Sequence, residues 1–82
     1  METRVAVIGI IVEKQESAEK VNAVLHCYSG YIIGRMGIPY REKGISIISI
    51  AMDAPQDAIS ALSGKLGRID GVEVKTAYSK SY

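Results

Sequence analysis

The segment from Ile45 to Met52, Ile-Ser-Ile-Ile-Ser-Ile-Ala-Met, constrains the fold more than any other part of this sequence. Successive side chains of a β-strand point to opposite faces of a sheet, so this segment would place apolar side chains on both faces. The segment from Val5 to Val12 has the same character, although Gly9 interrupts it and predicts a bulge or a close backbone approach. Because a strand with one solvated face normally alternates apolar and polar residues, we predict that both segments are central, paired strands.

The rest of the chain predicts two helices and two further strands. Apolar residues at helical spacing follow the first strand, with Ser17 as the expected N-cap and Gly30 as the expected end. A second helix is expected to open at Pro55 and to end at Gly67. The alternating segment from residue 72 to 78 is typical of an edge strand. The predicted elements are a strand at 5–12, a helix at 17–28, a strand at 31–38, a strand at 45–52, a helix at 55–67 and a strand at 72–78.

This order predicts an α+β, ferredoxin-like βαββαβ fold, in which a four-stranded antiparallel sheet carries both helices on one face. The 82 residues correspond to a single domain, residues 1–82. The face without helices would expose a large apolar surface, which soluble monomers rarely tolerate. We therefore expect a homo-oligomer, at least a dimer. The alternation of side chains leaves open whether Ile47 or Ile48 points toward the helices.

Composition excludes several classes of partner. The net charge is +1, from ten basic and nine acidic residues, so no overall field attracts nucleic acid or a membrane surface. No apolar run reaches the ~18 residues that span a bilayer, and the polar start predicts no signal peptide. The single cysteine cannot form an internal disulfide and fits a reducing, cytoplasmic setting. No catalytic motif is recognisable, so we expect no enzymatic activity and no cofactor.

The segment from residue 34 to 44 concentrates two arginines, one lysine and three glycines. Guanidinium groups bind carboxylate or phosphate through paired hydrogen bonds, and glycine lets the backbone approach a ligand closely. These features suggest a site for a small anionic ligand, or a contact to a partner, at Arg35, Met36, Gly37 and Arg41. The alternative is a loop at 37–44 within a hairpin, with solvated charges and glycines that serve only the turn. We favour that alternative from the sequence, because charge near a turn is common.

His26 and Cys27 stand next to each other near the end of the first predicted helix. Imidazole and thiolate are ligands for zinc, copper and nickel, and two chains together would supply four ligands. The alternative is an exposed histidine beside a half-buried cysteine. We favour that alternative, because one chain offers two ligands where a closed site usually needs four.

Three stretches resemble a known family of small proteins, the iron-only hydrogenase system regulators. The stretches are Ile32 to Ser49, Ser63 to Arg68 and Gly71 to Lys75. The resemblance implies an ACT-like βαββαβ domain with a regulatory role. It also implies similarity to the regulatory half of nickel-responsive repressors, which assembles as a tetramer, so dimer and tetramer both remain open.

The same resemblance bears on metal and on DNA. Nickel-responsive repressors use several histidines and a cysteine, whereas this sequence offers only His26 and Cys27. Those repressors also carry a separate DNA-binding arm, for which the predicted elements leave no residues. We therefore expect a regulatory, ligand-binding module without direct DNA binding, and a metal sensor at His26 and Cys27 is the alternative.

Overall fold

The computed structural model describes residues 2–81, which form one four-stranded sheet and two α-helices. The elements are β1 Arg4–Val12, α1 Ala18–Cys27, β2 Ile32–Tyr40, β3 Ile45–Ala54, α2 Gln56–Gly67 and β4 Val72–Tyr78, with 3-10 turns at Gln15–Ser17, Ser29–Tyr31 and Arg41–Lys43. The strands pair antiparallel in the order β2-β3-β1-β4. This is the predicted ferredoxin-like, ACT-like fold, and the central positions of β1 and β3 are confirmed. Neither described helix is long and apolar enough to cross a membrane.

The hydrophobic core lies between one face of the sheet and the two helices. Alternate residues of β1 and β3 point into it, and the pairs Ile8–Ile50 and Ile10–Ile48 lie side by side across the two strands. The helices contribute Val21, Leu25, Ile59, Leu62 and Leu66. Complete burial of one such side chain contributes about 1.5–3 kcal/mol, so this layer is the main source of stability. Ile48 therefore faces the helices, and Ile47 faces the opposite side.

We call the sheet surface opposite the helices the open face. Residues that pair directly across neighbouring strands share a face, so the register identifies its members. Within residues 2–81, the most exposed of the large apolar side chains on the open face are between 36% and 52% exposed. They are Val7, Ile11, Met36, Ile38, Tyr40 and Ile47. The edge strand β4 adds Glu73 and Lys75. The two-sided apolar pattern of the sequence thus divides into a buried core and an exposed apolar surface.

The prediction of a bulge or a close backbone approach at Gly9 is wrong on both counts. Gly9 pairs in continuous register with Ser49 on one side and with Lys75 on the other. A Cβ atom at this position would lie 3.9 Å from the carbonyl oxygen of Lys75, which is an ordinary contact. The irregular pairing lies instead in the edge strand β2, between Ile32 and Gly34. The central strand is regular because it forms ladders on both sides.

Ser17 does not cap helix α1 with its side chain, contrary to the prediction. Its hydroxyl donates a 2.6 Å hydrogen bond to the carbonyl oxygen of Asp70. The Lys14 ammonium lies 2.5 Å from the Asp70 carboxylate, and this hydrogen bond and charge hold the pKa of Asp70 below its usual range. Glu13 donates its amide to the carbonyl of Gly71 at 2.7 Å. These contacts connect the turn after β1 to the turn before β4.

The predicted end of the first helix and the predicted loop at 37–44 both differ from the structure. Helix α1 ends at Cys27, and Gly30 lies in the 3-10 turn that follows it. The predicted loop at 37–44 shrinks, because β2 pairs with β3 as far as Tyr40 despite its glycines and proline. Gly44 ends the remaining turn with a φ of 65°, a left-handed conformation that glycine adopts without strain.

Candidate functional site

A groove lies between α1 and β2 on the helix side of the sheet. Its volume is about 380 Å³, and Leu25 and Ile32 form its apolar wall. Four polar side chains line the rest: Asn22, His26, Ser29 and Arg35. The groove exists because β2 is an edge strand whose residues from Ile33 to Tyr40 are exposed, so this part of the sheet remains accessible from the helix side.

Arg35 is held across this groove by α1. Its Nη2 atom donates a 3.0 Å hydrogen bond to Oδ1 of Asn22. A guanidinium carries five N–H donors in a planar fork, so this bond orients the group without using all of its donors. A second depression of about 160 Å³ shares Arg35 and Asn22 and continues along β2 past Gly37 to Pro39. Arg35 thus lies where the two depressions meet.

The structure brings His26 and Arg35 to the same groove, although the sequence suggested separate sites for them. His26 is exposed and lines the groove from the last turn of α1. Cys27 does not line the groove, and it is exposed rather than half-buried as the alternative interpretation held. Within residues 2–81, no three histidine, cysteine, aspartate or glutamate side chains come together in a way that could hold a metal ion.

The four residues proposed for an anion do not share one place. Arg35 pairs with Ile50 and lies on the helix side, whereas Met36 pairs with Ser49 and lies on the open face. Gly37 lines the second depression beside Arg35, and Arg41 lies in the turn beyond the end of β2. The alternation of a strand therefore divides a set that is contiguous in the sequence.

Asn22 and Ser29 are groove residues that the sequence interpretation missed. Asn22, His26 and Ser29 are spaced at i, i+4 and i+7, on the polar side of α1 and in the 3-10 turn that follows it. Residues at this spacing lie on one helix face. The spacing can be read from the sequence, but it indicates a groove only when β2 is known to lie beside this face of α1.

The groove is suited to a small anion. A guanidinium offers a fork that matches carboxylate and phosphate, and the Asn22 amide and the Ser29 hydroxyl add neutral donors. Arg35 also brings a positive charge into the groove that His26 lines, and a like charge disfavours a metal ion there. The groove therefore presents hydrogen-bond donors of the kind that carboxylate and phosphate groups accept.

Comparison with known proteins adds the family. The profile of the TM1266-like family, described as "Iron-only hydrogenase system regulator, putative", matches residues 4–76. The chain belongs to this family. The uncharacterized protein TM1266 from Thermotoga maritima is 41% identical, and its structure superposes with a TM-score of 0.93 over 96% of this chain and 100% of its own. No curated protein is significantly similar in sequence.

Two more distant structures share the fold alone. The C-terminal domain of MgtC from Mycobacterium tuberculosis is 13% identical, with a TM-score of 0.70 over 94% of this chain and 88% of its own. A formyltetrahydrofolate deformylase from Pseudomonas putida KT2440 is also 13% identical, with a TM-score of 0.64 over 89% of this chain and 28% of its own. Membership of the TM1266-like family, on an ACT-like fold, supports a regulatory role for this protein.

Proposed function

We propose that this TM1266-like protein is a non-enzymatic regulatory module that assembles with copies of itself and binds a small anion. The family description connects the regulatory role to iron-only hydrogenase systems. Self-association is the better supported half of the proposal, and the observation that carries it is the apolar open face. Ligand binding depends on the groove between α1 and β2.

The open face has the size and composition of a subunit interface. Four strands about 4.8 Å apart, each with about eight residues, give a projected face of roughly 20 by 25 Å, or about 500 Å². Stable interfaces bury about 600–1,000 Å² of accessible surface per partner. The accessible area of a face covered with side chains exceeds its projected area, so the open face is near the lower end of that range. Apolar residues lie in the middle and along β2, and the charged Glu73 and Lys75 lie on the edge strand β4, which gives an apolar centre with a polar rim on one side.

The mass of the protein in solution tests self-association. Light scattering after size exclusion, at tens of micromolar, is expected to give at least twice the chain mass of 8.9 kDa. A mass of one chain throughout that range would contradict the proposal.

Arg35→Ala is expected to abolish stabilisation by the anionic ligand. A ligand that binds only the folded state at 100 times its Kd adds about 2.7 kcal/mol, which for a domain of this size raises Tm by roughly 10 °C or more. Inorganic phosphate and a panel of small mono- and dicarboxylates are the probes, read by thermal unfolding. We expect at least one of them to shift the wild type and not the variant.

Arg41→Ala is the matched control for that experiment. It removes the same charge from the turn beyond β2, outside the groove, so the ligand-induced shift should survive. A shift that persists in Arg35→Ala, or that disappears equally in both variants, would show that the groove is not the site.

Metal sensing is the alternative function, and we expect the wild type to bind no zinc or nickel tightly. His26 shares its groove with the cationic Arg35, and Cys27 does not line that groove. Neighbouring residues of a helix point about 100° apart, so one ion could not take both ligands easily from one chain. Metal analysis of untagged protein after equilibrium dialysis is the measurement. A stoichiometric metal of micromolar or better affinity, lost in the double variant His26→Ala and Cys27→Ala, would favour the sensor.

A further inference from the structure

Cross-strand pairing arranges the open face in rows that run across all four strands. One row, from β4 to β2, contains Glu73, Ile11, Ile47 and Ile38, and we call it the ridge row. The next row contains Lys75, Gly9, Ser49 and Met36, and we call it the hollow row. At the two central strands, two isoleucines therefore stand beside a glycine and a serine.

The small residues leave a depression of about 490 Å³ in the middle of the sheet. Gly9 and Ser49 lie within its lining, and Ile11 and Ile47 line it from the ridge row. Glu73 and Lys75 line it from the edge strand β4. The ridge row is therefore raised and the hollow row recessed, and the two rows lie two residues apart along the strands.

Nothing within the described chain requires glycine at position 9. Its φ is not positive, its strand pairs regularly on both sides, and a Cβ atom would make no close contact. Glycine in a strand interior is unfavourable, because it loses more conformational freedom on folding and packs no side chain. Contacts within the single chain therefore do not explain the recess at this position.

We propose that two copies pack open face to open face around a twofold axis that runs parallel to the rows, between the ridge row and the hollow row. This inference rests on the proposed self-association and specifies its geometry. A twofold axis in that place sets each ridge row over the other copy's hollow row. Ile11 and Ile47 of each copy then fill the recess at Gly9 and Ser49 of the other.

The same axis brings opposite charges together at the rim. Glu73 and Lys75 both lie on β4, in the ridge row and the hollow row, so the rotation places Glu73 of one copy over Lys75 of the other, twice. At the opposite edge it places Ile38 over Met36, which joins two exposed apolar side chains. Two sheets packed in this way keep their strands within about 30° of each other, the usual arrangement of sheet on sheet.

A second copy fits this surface better than a small molecule does. The recess is continuous with exposed apolar side chains on three strands, from Val7 on β1 to Ile38 on β2. A ligand seated over Gly9 would leave most of that surface in water. A second open face spans the same strands, its ridge row matches the hollow row in shape, and Glu73 and Lys75 match in charge at the edge.

Gly9→Val is the first test, measured by analytical ultracentrifugation beside the wild type. A Cβ atom at position 9 makes only an ordinary contact with the Lys75 carbonyl oxygen, and valine favours the strand, so the variant is expected to fold with unchanged or higher thermal stability as a monomer. By filling the recess it should raise the dissociation constant of the assembly at least tenfold. Gly37→Val is the matched control, because it adds the same side chain to an unobstructed strand position on the helix side and should leave assembly unchanged.

A charge exchange is the second test. Glu73→Lys alone and Lys75→Glu alone place like charges opposite each other, and each should weaken assembly several-fold at low salt. The double variant Glu73→Lys and Lys75→Glu restores opposite charges and should return the dissociation constant to within about twofold of the wild type. Such a rescue is not expected if the two side chains are merely solvated.

The outcomes separate this inference from the proposed function. A wild type that is monomeric at tens of micromolar, with or without a small apolar molecule bound in native mass spectrometry, overturns both. A wild-type assembly that survives Gly9→Val unchanged leaves self-association standing and overturns this geometry. Failure of the double charge variant to recover assembly overturns it as well.

Discussion

Replacing Ile48 with lysine is expected to leave the protein largely unfolded at 25 °C. Ile48 is 7% exposed, pairs with Ile10 and faces the helices. The change removes a buried aliphatic side chain and places an unpaired ammonium group at the core, which together cost several kcal/mol. A domain of this length has only about 4–12 kcal/mol of stability in total, so the loss removes most of it.

Far-ultraviolet circular dichroism and urea titration measure this effect. Ile48 also lines the second depression beside Arg35, so the ammonium group of a lysine there could reach solvent through that depression. Ile50→Lys, at a position with 0% exposure, is the stricter variant and should be at least as destabilised. A cooperative unfolding transition near that of the wild type in both variants would mean that this sheet face is not the core.

Ile47→Lys, one residue earlier, is expected to fold normally and to lose assembly. Ile47 is 36% exposed on the open face, near the start of β3, which is a central strand of the sheet. A lysine there remains in water in the monomer, where surface substitutions usually change stability by about 0.5 kcal/mol or less. In an assembly that covers the open face, two ammonium groups would be buried near the symmetry axis, at a cost of several kcal/mol.

The mass from light scattering and the concentration dependence of Tm distinguish the two changes. An assembled protein unfolds at a temperature that rises with concentration, because association stabilises the folded state. We expect the wild type to show that dependence and Ile47→Lys to show a constant Tm and the mass of one chain. Were Ile47→Lys to keep the wild-type mass, the open face would not be the contact.

The fold followed from the sequence because its main signals are strong and local. Two strands with apolar residues on both faces had to be central, and the alternation of the segment from Val72 to Tyr78 predicted the edge strand with its correct limits. The errors concern backbone details that tertiary contacts decide. Gly9 forms no bulge because it is paired on both sides, and the Ser17 hydroxyl bonds to Asp70, which is 53 residues away.

The candidate groove was only partly predictable, for a different reason. Arg35 and His26 were identified by their chemistry, but the position of β2 beside α1 brings them together with Asn22. Met36 was grouped with Arg35 by proximity in the sequence, and the alternation of the strand separates the two. The complementary rows of the open face required the cross-strand register, which no single segment of sequence contains.

The strand order also determines when the sheet can be completed. Both neighbours of β1, namely β3 and β4, come later in the chain, whereas β2 and β3 form a local hairpin. During synthesis, β1 therefore has no partner strand until the β2–β3 hairpin is made. Its other edge stays unpaired until residues 72–78 are made. An unpaired apolar strand edge is a template for pairing between molecules. We therefore expect chains that stop before Val72 to aggregate rather than to persist as a smaller folded unit.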